Sequence, residues 1–456
     1  MGYVGLPLAL LFSGEGFPIT AFDIDATKVE TLANGGSYIV RVEPAEIQRA
    51  RQRGFSPTAD YARIADQDVV IICVPTPLNA YREPDMSYIV KTAEGVAPHV
   101  QPGQLIVQES VSYPGTTEEV LVPILERGNQ AGLMAGRPGT DAGTDHFYVA
   151  FSPEREDPGR TDIERHDVPK VVGGLGPMAG ELAAALYGSI FRRTVSVSTP
   201  AVAEKTKLLE NIYRCVNIAL VNEIKLLSLR MGIDFWEVID GAKTKPFGFQ
   251  AFYPGPGPGG HCIPVDPYYL SWKAKEFDFQ TRFIELVGEI NMQMPYHVVG
   301  SVAKALNTRR KPMNGAKVLV LGVAYKKDID DLRESPSLTI IGALKREGTE
   351  VSYHDPYFAF VGRGRHYELQ MKARLWRISA ITVVCSLLRT TPATTTGASS
   401  QSHSSSWIPA TQLVALLRKR LRIANWCVHW QEIQCLGRVA HWRLVCESST
   451  AAGKAQ

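Results

Sequence analysis

Four short runs rich in hydrophobic and β-branched residues are spaced along the first two hundred residues of the chain. They read ITAFDID, DVVIICVP, QLIVQES and FYVAFSP, and each ends in turn or polar residues. Helical stretches separate them. Strands that alternate with helices predict an α/β fold built on a parallel, doubly wound sheet.

The pattern becomes helical from Ala201 to about Asn307. Apolar residues recur every three or four positions through KLLENIYRCVNIALVNEIKLLSL, which predicts one long helix. A second α/β unit follows, with a strand at AKVLVLGVAYK, a helix at SLTIIGALKREG and a strand at VSYHDP. We therefore expect two α/β units with a helical region between them.

The composition is that of a globular protein of two or three domains. The 456 residues are 45% hydrophobic and carry 49 Lys plus Arg against 46 Asp plus Glu. No apolar run reaches the 18 residues that a membrane-spanning helix needs, and the apolar start from Tyr3 to Phe12 lacks the basic residue and cleavage site of a secretory signal. Seven cysteines without a CxxC pair favour a reducing cytoplasm and no metal site.

The last part of the chain differs from the rest. From Ala373 to Gln456 there are ten basic residues and two acidic ones, five of the seven Trp, four of the seven Cys and a Ser/Thr-rich stretch. A basic tail is one signature of nucleic-acid binding. A change of reading frame is another possible cause of a composition change this abrupt.

The opening GYVGLPLALLF matches the second half of a dinucleotide-binding fingerprint. Gly2 and Gly5 precede a predicted helix, where missing side chains let a pyrophosphate approach the helix N-terminus. Asp23 ends the next strand, at the separation expected for the acid that binds an adenosine ribose, and its charge would favour NAD over NADP. A plain turn is the alternative.

A Pro- and Gly-rich segment, FYPGPGPGGHCIPVDPYYL, carries the sharpest chemical signal. It holds Cys262 in a turn, with the carboxylate of Asp266 four residues later. The flanking glycines leave room for a substrate. The alternative is a structured loop with an inert cysteine.

Charged and polar residues form three further candidate sites. Lys207 and Asn211 lie one turn apart on the long helix beside an apolar face, so they could edge a cleft rather than a solvated stripe. Glu154, Arg155 and Glu156 follow a predicted strand directly, at the edge of a sheet where α/β proteins bind ligands. Lys326 and Arg333 follow the first strand of the second unit and suit an anionic ligand; charged surface loops are the alternative.

From Met1 to about Lys372 the chain resembles the nucleotide-sugar 6-dehydrogenase family, which includes UDP-glucose, GDP-mannose and UDP-N-acetylhexosamine dehydrogenases. The motifs that carry the resemblance are, in family order, GYVGLPLA, FDID, VPTP, YPGTTEE, SPERE, KLLENIYR, PGPGPGGHCIPVDP and GVAYKKDIDDLRESP. Two segments are most similar in sequence to the UDP-N-acetylglucosamine 6-dehydrogenase branch: KPFGFQAFYPGPGPGGHCIPVDPYYLSWKA and RFIELVGEINMQMP. Val111 departs from the family, which has a threonine there.

The resemblance implies a role for each matching residue. Cys262 would capture the sugar aldehyde, Lys207 and Asn211 would stabilise oxyanions, and Asp266 and Glu154 would orient or activate water. The implied cofactor is NAD, held by Gly2, Tyr3, Val4, Gly5, Asp23, Lys28, Thr76 and Arg333. The implied substrate contacts are Glu156, Phe249, Phe252, Tyr253, Gly255, Gly259, Arg282 and Lys326.

The implied fold is two Rossmann-like doubly wound domains joined by a long central helix and a helical middle domain. The expected division is an NAD-binding domain at 1–199 without its first strand, a helical domain with the cysteine loop at 200–307, a partial UDP-binding domain at 313–372 and an out-of-frame tail at 373–456. Reading the tail's codons one nucleotide earlier permits Val-Asp-Thr-Arg-Asn-Ala-Thr over residues 407–413, which resembles a family C-terminal signature. This predicts a frameshift between Lys372 and Leu375. A genuine basic appendage is the alternative.

The expected function is NAD-dependent, four-electron oxidation of the C6 alcohol of a UDP-N-acetylhexosamine to the uronic acid, feeding surface polysaccharide synthesis. UDP-glucose is the alternative substrate. A catalytically inactive remnant of the family and a nucleic-acid binder are the alternatives from other classes. We expect a cytoplasmic homodimer or higher homo-oligomer, with neither nucleic acid nor membrane as a partner.

Overall fold

The computed structural model describes residues 1–39, 41–79, 81–140, 145–155, 162–260, 263–326, 331–364 and 367–373, and three short strands beyond them. The helices are α1 (Gly5–Gly14), α2 (Ala26–Ala33), α3 (Pro44–Gln52), α4 (Ser87–Val96), α5 (Val122–Gly128), α6 (Pro177–Gly188), α7 (Pro200–Met231), α8 (Phe235–Ala242), α9 (Asp266–Ala274), α10 (Arg282–Asn307) and α11 (Pro336–Arg346). None of these helices has both the length and the apolarity that crossing a bilayer requires.

Six strands fall at the runs that the hydrophobic pattern predicted, and the others were not predicted. The strands are β1 (Thr20–Phe22), β2 (Ser56–Thr58), β3 (Val69–Ile72), β4 (Leu105–Gln108), β5 (Met134–Ala135), β6 (His146–Phe151), β7 (Lys170–Gly174), β8 (Thr194–Val197), β9 (Lys317–Leu321), β10 (Glu350–His354), β11 (Phe360–Arg363), β12 (Glu368–Lys372), β13 (Val383–Ser386), β14 (Trp407–Pro409) and β15 (His441–Arg443). The six predicted strands are β1, β3, β4, β6, β9 and β10. The chain divides into two compact units, 1–217 with 261–289, and 218–260 with 290–456. Because these boundaries fall inside α7 and α10, each of those helices contributes to both units.

The first unit is built on the sheet β3-β4-β6-β7-β8, with β5 beside β6. Helices cover both faces: α4 and α5 pack through Val96 and Leu125 on one, and α1 and α6 pack through Phe12 and Ala183 on the other. The strands β1 and β2 form a separate parallel pair. This architecture confirms the predicted α/β class.

One pairing differs from the all-parallel expectation. β6 and β7 are antiparallel, with Phe151 opposite Gly173. The described part of their connection contains only a 3-10 turn, Arg165–Asp167, and no crossover helix of the kind that joins parallel neighbours. The chain therefore turns back along β6 instead of crossing over the sheet.

The second unit contains a smaller parallel sheet, β10-β9-β13, with β9 in the middle. Val318 and Val320 of β9 pack against Leu338 and Ile341 of α11 in a closed apolar core. A separate small cluster joins α7 and α8 through Val221 and Phe235. Asp234 begins α8 because its carboxylate accepts a hydrogen bond from Trp236 N at 2.9 Å.

Candidate active site

The N-terminal segment presents a helix end suited to a dinucleotide. α1 begins at Gly5, and no side chain in the described part of the chain caps it. A Cβ on Gly5 would lie 3.3 Å from the Cβ of Cys73, so glycine permits the close packing of this helix on the end of β3. Gly2 faces open space. Uncapped N–H groups beside open space fit a pyrophosphate.

Asp23 lies directly after β1, where the sequence predicts the acidic residue that binds the adenosine ribose. Its carboxylate accepts hydrogen bonds from Asp25 N at 2.9 Å and from the Lys28 ammonium at 3.3 Å. Burial opposes its ionisation, but bonds from the amino terminus and from Asp25, with the charge of Lys28, lower its pKa below the ordinary value. A carboxylate held ionised here fits a ribose diol and repels a 2′-phosphate.

Three predicted catalytic residues come together in the first unit. Lys207 and Asn211 on α7 and Asp266 at the start of α9 are all at least 95% buried. Asn211 Nδ2 donates to Asp266 Oδ2 at 2.5 Å. Asn211 and Asp266 are 55 positions apart, and no local feature of the sequence signals this contact, which the fold brings about.

The surroundings of Asp266 raise its pKa to about 6. Burial is the main cause, and the charge of Lys207, the bond from Asn211 and the charge of Arg214 oppose it. A carboxyl poised near neutrality can exchange protons with a bound water or alcohol. Sequence reasoning missed Arg214, which donates to Asn211 Oδ1 and thereby fixes which end of the amide faces Asp266.

Glu204, one turn before Lys207, is also fully buried. Its carboxylate accepts hydrogen bonds from Gly115 N at 2.6 Å, Thr117 N at 2.9 Å and Thr117 Oγ1 at 2.7 Å. Burial raises its pKa to about 7, against the effect of those bonds. Glu204 is therefore an anchor for the YPGTTEE segment and not part of a solvated stripe.

The carboxyl edge of the main sheet carries Glu154 just after β6. Glu154 lines a cleft together with Val4, Leu8, Arg155, Lys170 and Phe191. Arg155 is held by Glu210 at 2.5 Å and by Pro169 O at 2.6 Å. The predicted water-activating residue and the predicted cofactor loop thus face the same cleft.

Thr76 and Val111 are placed within packed surroundings. Thr76 is 97% buried and bonds to Tyr269. Val111 packs with Tyr113 and Leu208 in an apolar cluster, where the family's threonine would have brought a hydroxyl. Arg282 is exposed at the first position of α10.

The predicted substrate loop lies in the second unit. Phe252 packs on the α7–α8 cluster, Tyr253 stacks on Trp236 with ring centroids 6.1 Å apart, and Phe249 is 41% exposed. Gly255 N donates to Asn222 Oδ1 at 2.8 Å. These contacts fix the course of the loop on its own unit.

The rest of that loop packs against the segment after β9. A Cβ on Gly259 would lie 2.5 Å from Tyr325 Cβ, and Gly260 N donates to Arg333 O at 3.0 Å. The guanidinium of Arg333 pairs with Asp331 at 2.7 Å. Lys326 ends this described stretch, whereas Glu156 and Cys262 lie outside the described residues.

A doubly wound domain with a dinucleotide-type helix end, joined to a buried Lys–Asn–Asp cluster, defines a nucleotide-dependent oxidoreductase. Comparison with known proteins matches three domain models of the UDP-glucose/GDP-mannose dehydrogenase family: the NAD binding domain at residues 1–191, the central domain at 201–293 and the UDP binding domain at 319–386. The chain belongs to this family of NAD-dependent UDP-sugar dehydrogenases. The third match continues beyond Lys372, further than the sequence motifs predicted.

Individual relatives agree with this. The chain is 36% identical over 358 residues to UDP-N-acetyl-D-glucosamine 6-dehydrogenase of Pseudomonas aeruginosa, covering 78% of this chain and 81% of the relative. It is 36% identical over 374 residues to UDP-N-acetyl-D-mannosamine dehydrogenase of Pyrococcus horikoshii, covering 81% and 84%. The solved structure of UDP-D-ManNAc dehydrogenase from Pyrococcus horikoshii superposes with a TM-score of 0.73 at 31% identity, covering 85% of this chain and 88% of that one.

Proposed function

We propose that the protein oxidises the C6 alcohol of a UDP-N-acetylhexosamine, of the UDP-N-acetylglucosamine type, to the uronic acid for surface polysaccharide synthesis. The observation that carries the proposal is the buried cluster of Lys207, Asn211 and Asp266, joined by the 2.5 Å bond between the amide and the carboxylate. A cation, a neutral donor and a carboxyl near neutrality are what oxyanion stabilisation and proton transfer require. Relatives at equal identity are named for the gluco and manno sugars, so both belong in the test.

When bound, NAD accepts the hydride in each of two oxidations. Lys207 stabilises the alkoxide as the alcohol loses its proton, and the thiolate of Cys262 adds to the aldehyde carbon, so that a C–S bond forms. The second oxidation turns this thiohemiacetal into a thioester. Glu154 takes a proton from a water molecule, and the oxygen of that water attacks the thioester carbon. The C–S bond then breaks, which frees the uronic acid and returns Cys262 to its thiolate. One alcohol, one water and two NAD⁺ give one carboxylate, two NADH and three protons.

The test is NADH formation with UDP-N-acetylglucosamine, UDP-N-acetylmannosamine and UDP-glucose, with the acid product counted. We expect about two NADH per acid with a UDP-N-acetylhexosamine, and loss of turnover in Cys262→Ala. If the protein prefers UDP-glucose, its substrate is UDP-glucose and not a UDP-N-acetylhexosamine. The same assay on a chain that carries the alternative reading frame after Lys372, once resequencing of the DNA has established that frame, separates an active enzyme from an inactive remnant.

Crowding at Gly259 gives a second test. In Gly259→Ala the new Cβ would lie 2.5 Å from Tyr325 Cβ and 2.9 Å from Glu334 O, so the loop must shift. If the loop holds the sugar nucleotide, KM for the substrate rises about tenfold while kcat changes little. Gly241→Ala, whose Cβ would meet nothing within 4 Å, is the matched control. An unchanged KM would remove Gly259 from the substrate site.

We also propose that α7 pairs two copies of the chain. Leu209, Tyr213, Leu220, Ile224 and Leu227 are 39% to 67% exposed and recur at spacings of three, four and seven, which places them on one face. A second copy would cover this apolar face. Light scattering on a Leu220→Glu variant is expected to show a smaller particle than the unaltered chain. The predicted cytoplasmic location and the four-segment domain division stay predictions.

A further inference from the structure

A buried charged cluster lies behind Glu154 at the carboxyl edge of the main sheet. The ammonium of Lys170, at the first position of β7, is 2.9 Å from Glu109 Oε1 and 3.5 Å from Glu154 Oε2. Tyr187 on α6 donates to Glu109 Oε1 at 2.5 Å. Lys170 and Glu109 are each 2% exposed. Glu109 lies in the predicted strand run QLIVQES, but the sequence suggests no functional role for either residue, and neither has one in the reaction steps above.

The cluster contains two carboxylates facing one ammonium. An excess buried charge is costly, so each charge depends on the others. Burial would lower the pKa of Lys170, but Glu109 and Glu154 raise it, and the ammonium stays charged. Burial raises the pKa of Glu109, and Lys170 opposes that rise. Glu109 Oε2 is buried with no hydrogen-bond partner in the described part of the chain.

Glu154 and Lys170 both line the cleft. Lys170 contacts Glu154 Oε2, while Arg155 N donates to Glu154 Oε1 at 2.7 Å. Both oxygens of the carboxylate are therefore held from the protein side. Among the described residues, the other titratable or charged groups near it are Cys73 after β3, Tyr187, and Arg155 and Arg165 at the cleft. The amino group of Met1 acts on Cys73.

We propose that Lys170 and Glu109 are positioning residues for Glu154: the Lys170 ammonium holds the Glu154 carboxylate ionised and oriented towards the cleft, and Glu109 limits how strongly it does so. Glu109 lies closer to the ammonium than Glu154 does, 2.9 Å against 3.5 Å, so it takes the larger share of the attraction and also repels Glu154. The proposal rests on the proposed function, in which Glu154 accepts the proton of the attacking water.

The two partners then have opposite effects on the pH profile. In Lys170→Met the Glu154 carboxylate loses its cation and keeps a neighbouring carboxylate, so the acid limb of kcat moves to higher pH. In Glu109→Gln the repulsion is removed and the cation remains, so the limb moves to lower pH. Because hydrolysis of the thioester slows, Lys170→Met is expected to keep a burst of two NADH per subunit and to lose about tenfold or more in the steady state.

Lys273→Met is the matched control. Lys273 is also buried, at 5% exposed, and lies between two carboxylates, Glu119 at 2.5 Å and Glu276, but these are not Glu154 or Glu109. This variant removes a buried ammonium without touching Glu154 or Glu109, and it is expected to leave the acid limb in place. Shifts of the same sign in Lys170→Met and Glu109→Gln, or no shift in either, would show a merely structural cluster and overturn the proposal.

A second readout does not depend on turnover. Infrared difference titration of the carboxyl stretch, with Glu154→Gln as the reference that identifies the band, follows Glu154 directly. Its midpoint is expected to move upward in Lys170→Met and downward in Glu109→Gln. If the unaltered chain forms no NADH with any UDP-hexose but these midpoints move as stated, the proposed function fails while the coupling stands; fixed midpoints overturn the coupling itself.

Discussion

Replacing Lys207 with methionine is expected to lower kcat by about 10² to 10³, the usual cost of removing one donor to a developing oxyanion. The side chain is 95% buried, so water cannot take the place of the missing ammonium. Methionine keeps most of the volume, so the loss reports chemistry more than packing. The measurement is steady-state NADH formation with the preferred UDP-hexose.

The same variant carries a second signature in its pH profile. Lys207 is the first of the groups that oppose the rise in the pKa of Asp266, which stands at about 6. Without that charge the carboxyl pKa rises further, so any acid limb due to Asp266 moves to higher pH. Lys205→Met is the control, because Lys205 is exposed two residues earlier on α7. Equal rates in the two variants would remove Lys207 from the catalytic machinery.

Replacing Glu204 with alanine is expected to cost about 4 kcal/mol of folding free energy at pH 5, since several buried donors lose their acceptor at about 1 to 3 kcal/mol each. Those donors are the backbone N–H groups of Gly115 and Thr117 and the Thr117 hydroxyl. The measurement is urea denaturation of the variant and the unaltered chain. Glu223→Ala, exposed on the same helix, is expected to change little.

The loss of folding free energy caused by Glu204→Ala becomes smaller as the pH rises, because the folded and unfolded states bind different numbers of protons. The pKa of Glu204 is raised from 4.5 to about 7 in the folded chain, so the folded state binds the extra proton between those values. The stabilisation is present in full below pH 4.5 and declines through pH 7, by about 3 kcal/mol in all. The effect of Glu204→Ala should therefore be smaller at pH 8 than at pH 5. A cost independent of pH would contradict the raised pKa.

The sequence was sufficient where a feature depends on a local period or a contiguous motif. The spacing of apolar residues located α7, and the β-rich runs located β3, β4, β6 and β9, because burying one face imposes a period that a single segment displays. Asp266 was found because it shares a motif with the cysteine. These are properties of short stretches, which a single chain reveals.

What the sequence did not reveal depends on contacts between distant segments. Glu109 and Lys170 are 61 positions apart and meet only because β4 and β7 flank β6. Arg214 looked like one charge among many on a long helix until the fold placed it beside Asn211. Glu204 is a buried anchor because its partners come from a segment nearly ninety residues earlier. No periodicity encodes such pairings.

The antiparallel course of β7 decides which end of that strand meets the ligand. In a parallel strand the residues at the ligand edge come last, and Lys170, as the first residue, would lie at the opposite edge, about 15 Å away for a five-residue strand. Because β7 runs the other way, its opening residue arrives among the closing residues of β4 and β6. The Lys170 cation at the ligand edge of the sheet therefore belongs to a strand, and the hydrogen bonds of the sheet hold its backbone rigidly. If β7 were parallel to β6, a cation at this edge would have to come from a loop.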